Sequence, residues 1–247
     1  MAEVEISKNL PPPLSALAVG AHPDDIEFNV GGTFAKWSED KTKLAHVICT
    51  DGSKGTWEKN ANIAELISLR SEEAKRAARV LGTSEVMFLG ETDGELEETK
   101  DGVRLIVKWI REFKPQIVLT HDPWKRYRLH PDHRKAGFLA LNAVVGARDP
   151  LFFPELEMEP FRPEKIMLFE ADEVDHVEEI GNWLDTKVKS LLEHQSQYKS
   201  TMDISDPKDQ EQVLRFKNWV ASLAQNDAQK YLGNKSSFVE SFKIMDL

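Results

Sequence analysis

The sequence predicts an α/β protein built on a mostly parallel sheet with helices on both faces. Two observations lead there. Short apolar runs alternate with longer segments of helical period, the β-α-β-α rhythm of a parallel sheet. Acidic and histidine residues also collect just after the apolar runs, at the carboxyl ends of the strands, where such sheets gather ligands.

Each element follows in order. "LSALAVGA" (14–21) reads as a buried strand, and "GGTFAKWSED" begins a helix after it. "LAHVICT" is the second strand. Residues 62–81 show the clearest helix: Ile63, Leu66, Ile67, Ala74, Ala77, Ala78 and Leu81 fall on helical spacings, and Gly82 follows as a stop. "SEVMFLG" is the third strand. Residues 102–114 form an amphipathic helix that ends before Pro115, and "QIVLT" is a short interior strand. A helix spans 132–147. Residues 149–163, rich in proline and phenylalanine, read as a loop and candidate lid. "EKIMLFE" adds a strand, and helices cover 177–198 and 207–225. There is no internal repeat, and a single domain over 1–247 is expected.

The 247 residues carry a net charge of −10, with 42 acidic against 32 basic side chains, which argues against nonspecific nucleic-acid binding. Cys49 is the only cysteine, so no internal disulfide forms, as suits a reducing compartment. The N-terminal stretch lacks the basic-then-apolar pattern of a signal peptide, and no run reaches the ~18 apolar residues of a membrane span. A soluble, cytoplasmic protein is expected.

The chemistry concentrates in two segments. In "AHPDDIEFNVGGT" (21–33), His22 precedes the adjacent carboxylates Asp24 and Asp25. Neighbouring carboxylates repel unless solvent, a proton or a cation intervenes. A turn is the plainer reading, since proline and aspartate both suit one. In "LHPDHRKAG", His130 and His133 stand three apart with Pro131 suited to a first helical turn. His22, Asp25 and His133 together offer the three nitrogen and oxygen ligands of a catalytic zinc, and Asp24 is then free to act as general base on a water at the open position. The glycines of "GGT" serve close packing or, less readily, phosphate binding. His46 and His176 have no partner in sequence, Asp51 with Gly52 reads as a turn that also borders the pocket, and His121 and Asp122 read as strand-end residues that buttress the site.

At these residues the chain resembles the LmbE-like or PIG-L deacetylases, zinc-dependent enzymes that remove N-acetyl groups from amino sugars. "AHPDDIEFNVGGT" and "HPDHR" match the two signatures of that family. "TDGSKGT", "RSEEAKRAARVLG", "LGETDGEL", "PQIVLTHDP", "EHQSQY" and "VESFK" match weaker stretches in the same order. The resemblance implies a Rossmann-like fold, zinc or another divalent metal on His22, Asp25 and His133, and Asp24 as general base. It implies that His130 stabilises the oxyanion or acts as general acid, with Asp132 holding its imidazole, and that Arg70 and Asp93 contact substrate. Its implied substrate is a small N-acetylglucosamine-type sugar or conjugate, and its implied assembly a homo-oligomer, trimer or hexamer. Ile26 occupies the place that carries Glu in some members, with Glu27 following. His121 and Asp122 sit at a strand end near the site, and His194 of "EHQSQY" matches the family but suits a structural role. The competing functions are an amidase acting on a thiol or sugar conjugate and a noncatalytic carbohydrate-binding protein.

Overall fold

The computed structural model of the protein describes residues 5–83 and 85–247. Among them, eight strands form one sheet: β1 (Ser7–Lys8), β2 (Ser15–Gly20), β3 (Lys43–Thr50), β4 (Glu85–Glu91), β5 (Ile117–His121), β6 (Lys165–Phe169), β7 (His176–Glu179) and β8 (Val239–Asp246). Six α-helices accompany them: α1 (Asp25–Glu39), α2 (Ile63–Val80), α3 (Lys100–Phe113), α4 (Pro131–Arg148), α5 (Leu184–Leu191) and α6 (Gln210–Leu232). The strand order is β1-β7-β8-β6-β5-β2-β3-β4. Strands β6, β5, β2, β3 and β4 are mutually parallel, whereas β8 lies antiparallel between β6 and β7.

The period-two alternation of each strand divides the core. Leu17 and Val19 of β2 join Ile106, Val107 and Ile110 of α3 and Leu139, Ala140 and Ala143 of α4 on one face. Ala16 and Ala18 turn to Ile26, Val30, Phe34 and Trp37 of α1 on the other. The chain runs outward from β2 through β3 and β4, then crosses back to place β5 on the far side of β2. The gap beyond the carboxyl ends of β2 and β5 is therefore a topological switch point, where a doubly wound sheet leaves a crevice.

Three expectations change. The first helix begins at Asp25, two turns before Gly31 and Gly32. These glycines sit within the helix because the chain after β7 presses against it: a Cβ at Gly32 would lie 2.7 Å from Ile180 Cβ. Residues 177–198 are not one helix. Their start is the strand β7, which lies inside the sheet between β1 and β8, and Gly181–Trp183 forms a 3₁₀ turn before α5. The segment 149–163 packs on the core, with Phe153 and Phe161 against the α3–α4 cluster. Arg111 fastens its backbone by donating to the carbonyls of Asp149 and Phe152, both at 2.9 Å.

A buried ion pair joins the two ends of the fold. Lys187 of α5 donates to Glu240 of β8 at 2.6 Å and to the Phe28 carbonyl of α1 at 2.6 Å. Glu240 in turn accepts the backbone N–H groups of Gly32 and Thr33, each at 2.8 Å. The pair thus inserts its charges into the middle of α1, a position where side chains can replace the helix's own ladder bonds.

Candidate active site at the switch point

Five strand ends contribute to one cavity of about 620 Å³, lined by residues that include His22, Asp24, Asp25, Arg70, Asp93, His130, His133 and Glu170. The segment after β2 turns sharply so that α1 starts within the motif. Asp24 takes φ 126°, a backbone conformation rare for a residue with a Cβ. Asp25 follows in the first helical turn, and its Oδ2 accepts the His22 N–H at 2.7 Å. After β5, Pro131 opens α4 with His130 as its N-cap residue, which places His133 one turn in.

Asp25 is the hub. Its Oδ2 lies 3.2 Å from His22 Nδ1 and 3.3 Å from His121 Nε2, and its Oδ1 lies 3.5 Å from His133 Nε2. Ligands on a tetrahedral metal with bonds of ~2.0–2.1 Å are separated by about 3.3 Å, so the spacing suits one small cation. Sets of donor atoms mutually within 4.8 Å are His22–His130–His133, Asp25–His121–His133 and His22–Asp93–His130–Asp132; the triad expected from the sequence, His22, Asp25 and His133, is spread over two of them, with His133 common to both. His121 is the weakest of these donors, because it does not line the cavity and its ring nitrogens face protein groups behind it. Nδ1 meets Glu170 Oε2 at 2.9 Å, and Nε2 accepts the Ala21 N–H at 3.3 Å. His133 differs. Glu170 Oε2 lies 3.1 Å from its Nδ1, the carboxylate–imidazole contact that orients metal-binding histidines, and Nε2 is left facing Asp25.

The charges agree with a cation site. Burial opposes a charged His22, but Asp132, Asp25 and Asp93 surround it and push its pKa up to about 12. The carboxylates around His22 therefore call for positive charge there, which a proton on the ring or a bound cation would supply. Burial would raise Asp25, but the charges of His133 and His121 hold it well below the usual carboxylate range. Glu170 is likewise held down, to about 2, by its hydrogen bonds to His121 and His133 against the cost of burial. Asp24 behaves in the opposite way. Burial raises it to about 6, only partly offset by Arg70, with the Asp25 charge adding to the rise.

Arg70 is buried beneath this loop. It donates to the carbonyls of Gly52 at 2.9 Å and Pro23 at 2.7 Å and lies 3.4 Å from Asp24 Oδ2. Glycine makes the room: a Cβ at Gly55 would come within 2.1 Å of Arg70 Nη1. The guanidinium thus supports the Asp24 turn as well as facing the cavity. Asp93 reaches His22 Nε2 at 3.2 Å and accepts the Lys54 N–H at 3.1 Å.

A profile described as "PIG-L: GlcNAc-PI de-N-acetylase" matches residues 17–144, more than half the chain. The chain belongs to the PIG-L family. Its relatives include the diacetylchitobiose deacetylase of Thermococcus kodakarensis, 34% identical over 185 residues, covering 74% of this chain and 69% of that protein. The solved N,N′-diacetylchitobiose deacetylase from Pyrococcus horikoshii superposes with a TM-score of 0.83 at 27% identity, over 95% of this chain and 84% of that one. The 4-carboxy-2-hydroxymuconate hydratase from Pseudomonas putida also shares the fold, with a TM-score of 0.75 at 22% identity over 94% and 96% of the two chains. Since a hydratase shares this fold, fold alone does not decide the reaction.

Among the site residues read from the sequence of this PIG-L protein, Asp132 takes an unexpected partner. Its Oδ2 accepts the Gly94 N–H at 2.6 Å and lies 3.2 Å from His22 Nε2, so its hydrogen bonds hold His22 and the β4 loop rather than His130. His130 stands at the rim, its ring centroid 4.5 Å from that of His22. Glu170 and Arg128 went unread. Arg128 pairs with Glu170 at 2.9 Å and reaches His133 Nδ1 at 2.6 Å. The only signal for Glu170 was its place at the end of "EKIMLFE", the next strand of the parallel set. Asp122 caps its own turn by accepting the Trp124 N–H at 2.9 Å. His194 is buried outside the cavity lining, 3.5 Å from Glu27, whose other oxygen lies 3.7 Å from His46. Residues 149–163 do not line the cavity.

Proposed function

We propose that the protein is a zinc-dependent de-N-acetylase that hydrolyses the acetamido group of an N-acetylglucosamine-type sugar or conjugate. The observation that carries the reading is the geometry of the doubled aspartate: Asp25 lies 3.2 Å from His22 Nδ1 and 3.5 Å from His133 Nε2, and Asp24 faces the same cavity beside Arg70. Asp25 is held ionised among imidazoles, while Asp24, one residue away and facing the same cavity, is raised to about 6. A general base works best with a pKa near the operating pH.

His22, Asp25 and His133 would hold the zinc, or another divalent ion. A zinc there would polarise the acetyl carbonyl and acidify water. Asp24 takes a proton from water as its oxygen bonds to the acetyl carbon, and that proton is then available to the departing amine when the C–N bond breaks. Arg70 holds the turn that aims Asp24. His130 is lowered by burial and by the charge of His22, so near neutral pH it donates as a neutral N–H to the oxyanion. Asp132 keeps His22 in place, and Asp93 lies at the same wall of the cavity. No helix of the described residues is long and apolar enough to cross a membrane.

The test is to load the protein with zinc and measure acetate and primary amine released from N-acetylglucosamine and N,N′-diacetylchitobiose. Equimolar acetate and amine are expected. Zinc bound without acetate from any acetamido sugar would overturn the reading and leave a noncatalytic binder. A cytoplasmic homo-oligomer completes the proposal. Leu151, Tyr127 and Leu129 stand largely exposed on the isolated chain, and light scattering should give a multiple of 28.1 kDa.

A further inference from the structure

The cavity has one apolar wall that the chemistry above does not use. Phe28 lies three residues after Asp25 on α1, hence on the same side of that helix. Trp219 of α6 meets it edge to face with ring centroids 6.0 Å apart, and Phe216 braces Trp219 at 5.8 Å. Trp219 remains 45% exposed and Leu223, one turn on, 46% exposed, and both line the site cavity. A second hollow of about 280 Å³ continues beyond Trp219 and shares Thr201 and Trp219 with the first. The two hollows adjoin at Thr201 and Trp219, and the trough they outline has the indole at its middle.

The charges along this trough are balanced. Lys54 pairs with Glu95 at 2.7 Å, Arg70 lies 3.4 Å from Asp24, Arg128 pairs with Glu170 at 2.9 Å, and Arg215 lies 3.5 Å from Glu211. An anionic substituent would find each of these cations already matched by a carboxylate.

Resting on the deacetylase reading, we propose that Trp219, backed by Phe28 and Phe216, is a stacking platform for a neutral second pyranose ring attached to the acetamido sugar, and so selects disaccharides over monosaccharides and over anionic conjugates. The axial C–H face of a pyranose is apolar and slightly positive, and the indole face is its natural partner. The ring's hydroxyls remain free to meet Thr201 and the polar walls of the trough. Trp219 touches the part of the substrate that does not react. It therefore acts on binding and specificity.

The test compares wild type, Trp219→Ala and Trp219→Phe, all zinc-loaded, on N-acetylglucosamine, N,N′-diacetylchitobiose and N-acetylglucosamine 1-phosphate. Trp219→Ala should raise KM for the disaccharide about three- to tenfold, the range of one aromatic stack. It should leave the monosaccharide KM within about twofold, and Trp219→Phe should recover most of the loss. Equal effects on both neutral sugars, no effect on either, or a wild-type preference for the phosphate would overturn the platform. If wild type releases acetate from none of the three, the deacetylase reading fails by itself. The disaccharide is then unconsumed, and calorimetric titration reads the platform directly: binding weakened by Trp219→Ala supports it, and unchanged or undetectable binding ends it.

Discussion

The protein contains the tripeptide His-Pro-Asp twice at the same crevice, at His22–Asp24 and His130–Asp132, and the two copies are used differently. In the first, the helix begins only at Asp25, so the turn before it is bent enough to give Asp24 φ 126°. His22 and Asp25 converge, and Asp24 is turned toward Arg70. In the second, the helix begins at Pro131, and the same three residues become a cap and a regular first turn. His133 points inward, His130 stays at the rim, and Asp132 is buried against His22. Helix register, more than residue identity, decides which aspartate faces the cavity beside Arg70 and which becomes a buried hydrogen-bond acceptor.

That comparison can be broken by exchanging charge for shape in each copy. The largest effect is expected at Asp24. Asp24→Asn should retain zinc and lower the catalytic constant by about 10²- to 10⁴-fold, the contribution of a positioned general base. The wild-type rate should rise with pH through a limb at or below about 6, because Asp24 must be deprotonated to accept a proton and a bound cation lowers its pKa further. Asp24→Asn should abolish that limb, and a pH-rate series with zinc content measured in parallel checks both. His133→Ala comes next. It should weaken zinc by more than about 100-fold, beyond the range of a supporting residue, as read by chelator competition.

Glu170→Gln sharpens the contrast between ligand and support. It should weaken zinc by about 10- to 100-fold while leaving the ligand set intact, because Glu170 orients His133 and His121. Loss as large as that of His133→Ala would make Glu170 a ligand in its own right. Asp132→Asn should be mildest, about tenfold in zinc affinity, since Asp93 still reaches His22 Nε2. An Asp132→Asn enzyme as slow as Asp24→Asn, with zinc in place, would erase the distinction between the two copies.

Much of this was legible in the sequence. The central strands, α2, α3 and α4 announced themselves through period, stop signals and Pro115, because parallel strands buried on both faces are uniformly apolar. Both His-Pro-Asp segments could be placed at strand ends for the same reason. What the sequence concealed depends on packing across the sheet. β8 slips antiparallel between β6 and β7, and nothing local in "VESFKIMD" announces its neighbours. "HVEE" reads as a helix start until β1 and β8 supply ladder bonds on both of its sides. The partner of Asp132 was missed because Gly94 is distant in sequence. The buried place of Arg70 was hidden because the room for it comes from Gly52 and Gly55, in a loop distant from α2 in sequence. Glu170 carried no motif at all, and only the parallel register of β5 and β6 brings it beside His121 and His133.

The ion pair of Lys187 and Glu240 bears on how this protein could be cut or recombined. The segment that matches the family, residues 17–144, contains every side chain proposed to hold zinc. It ends before Glu170, which aims two of the histidines, and before the two charges lodged in α1, the helix that carries Asp25 and Phe28. A fragment stopping there would keep the ligands and lose what orients them, while α1 would expose a turn whose backbone partners lie on α5 and β8. The signature is therefore not a transplantable module. Its unit of engineering extends through Glu240 in the last strand, and a fusion or trimming at the carboxyl terminus reaches the His–Asp cluster through one helix.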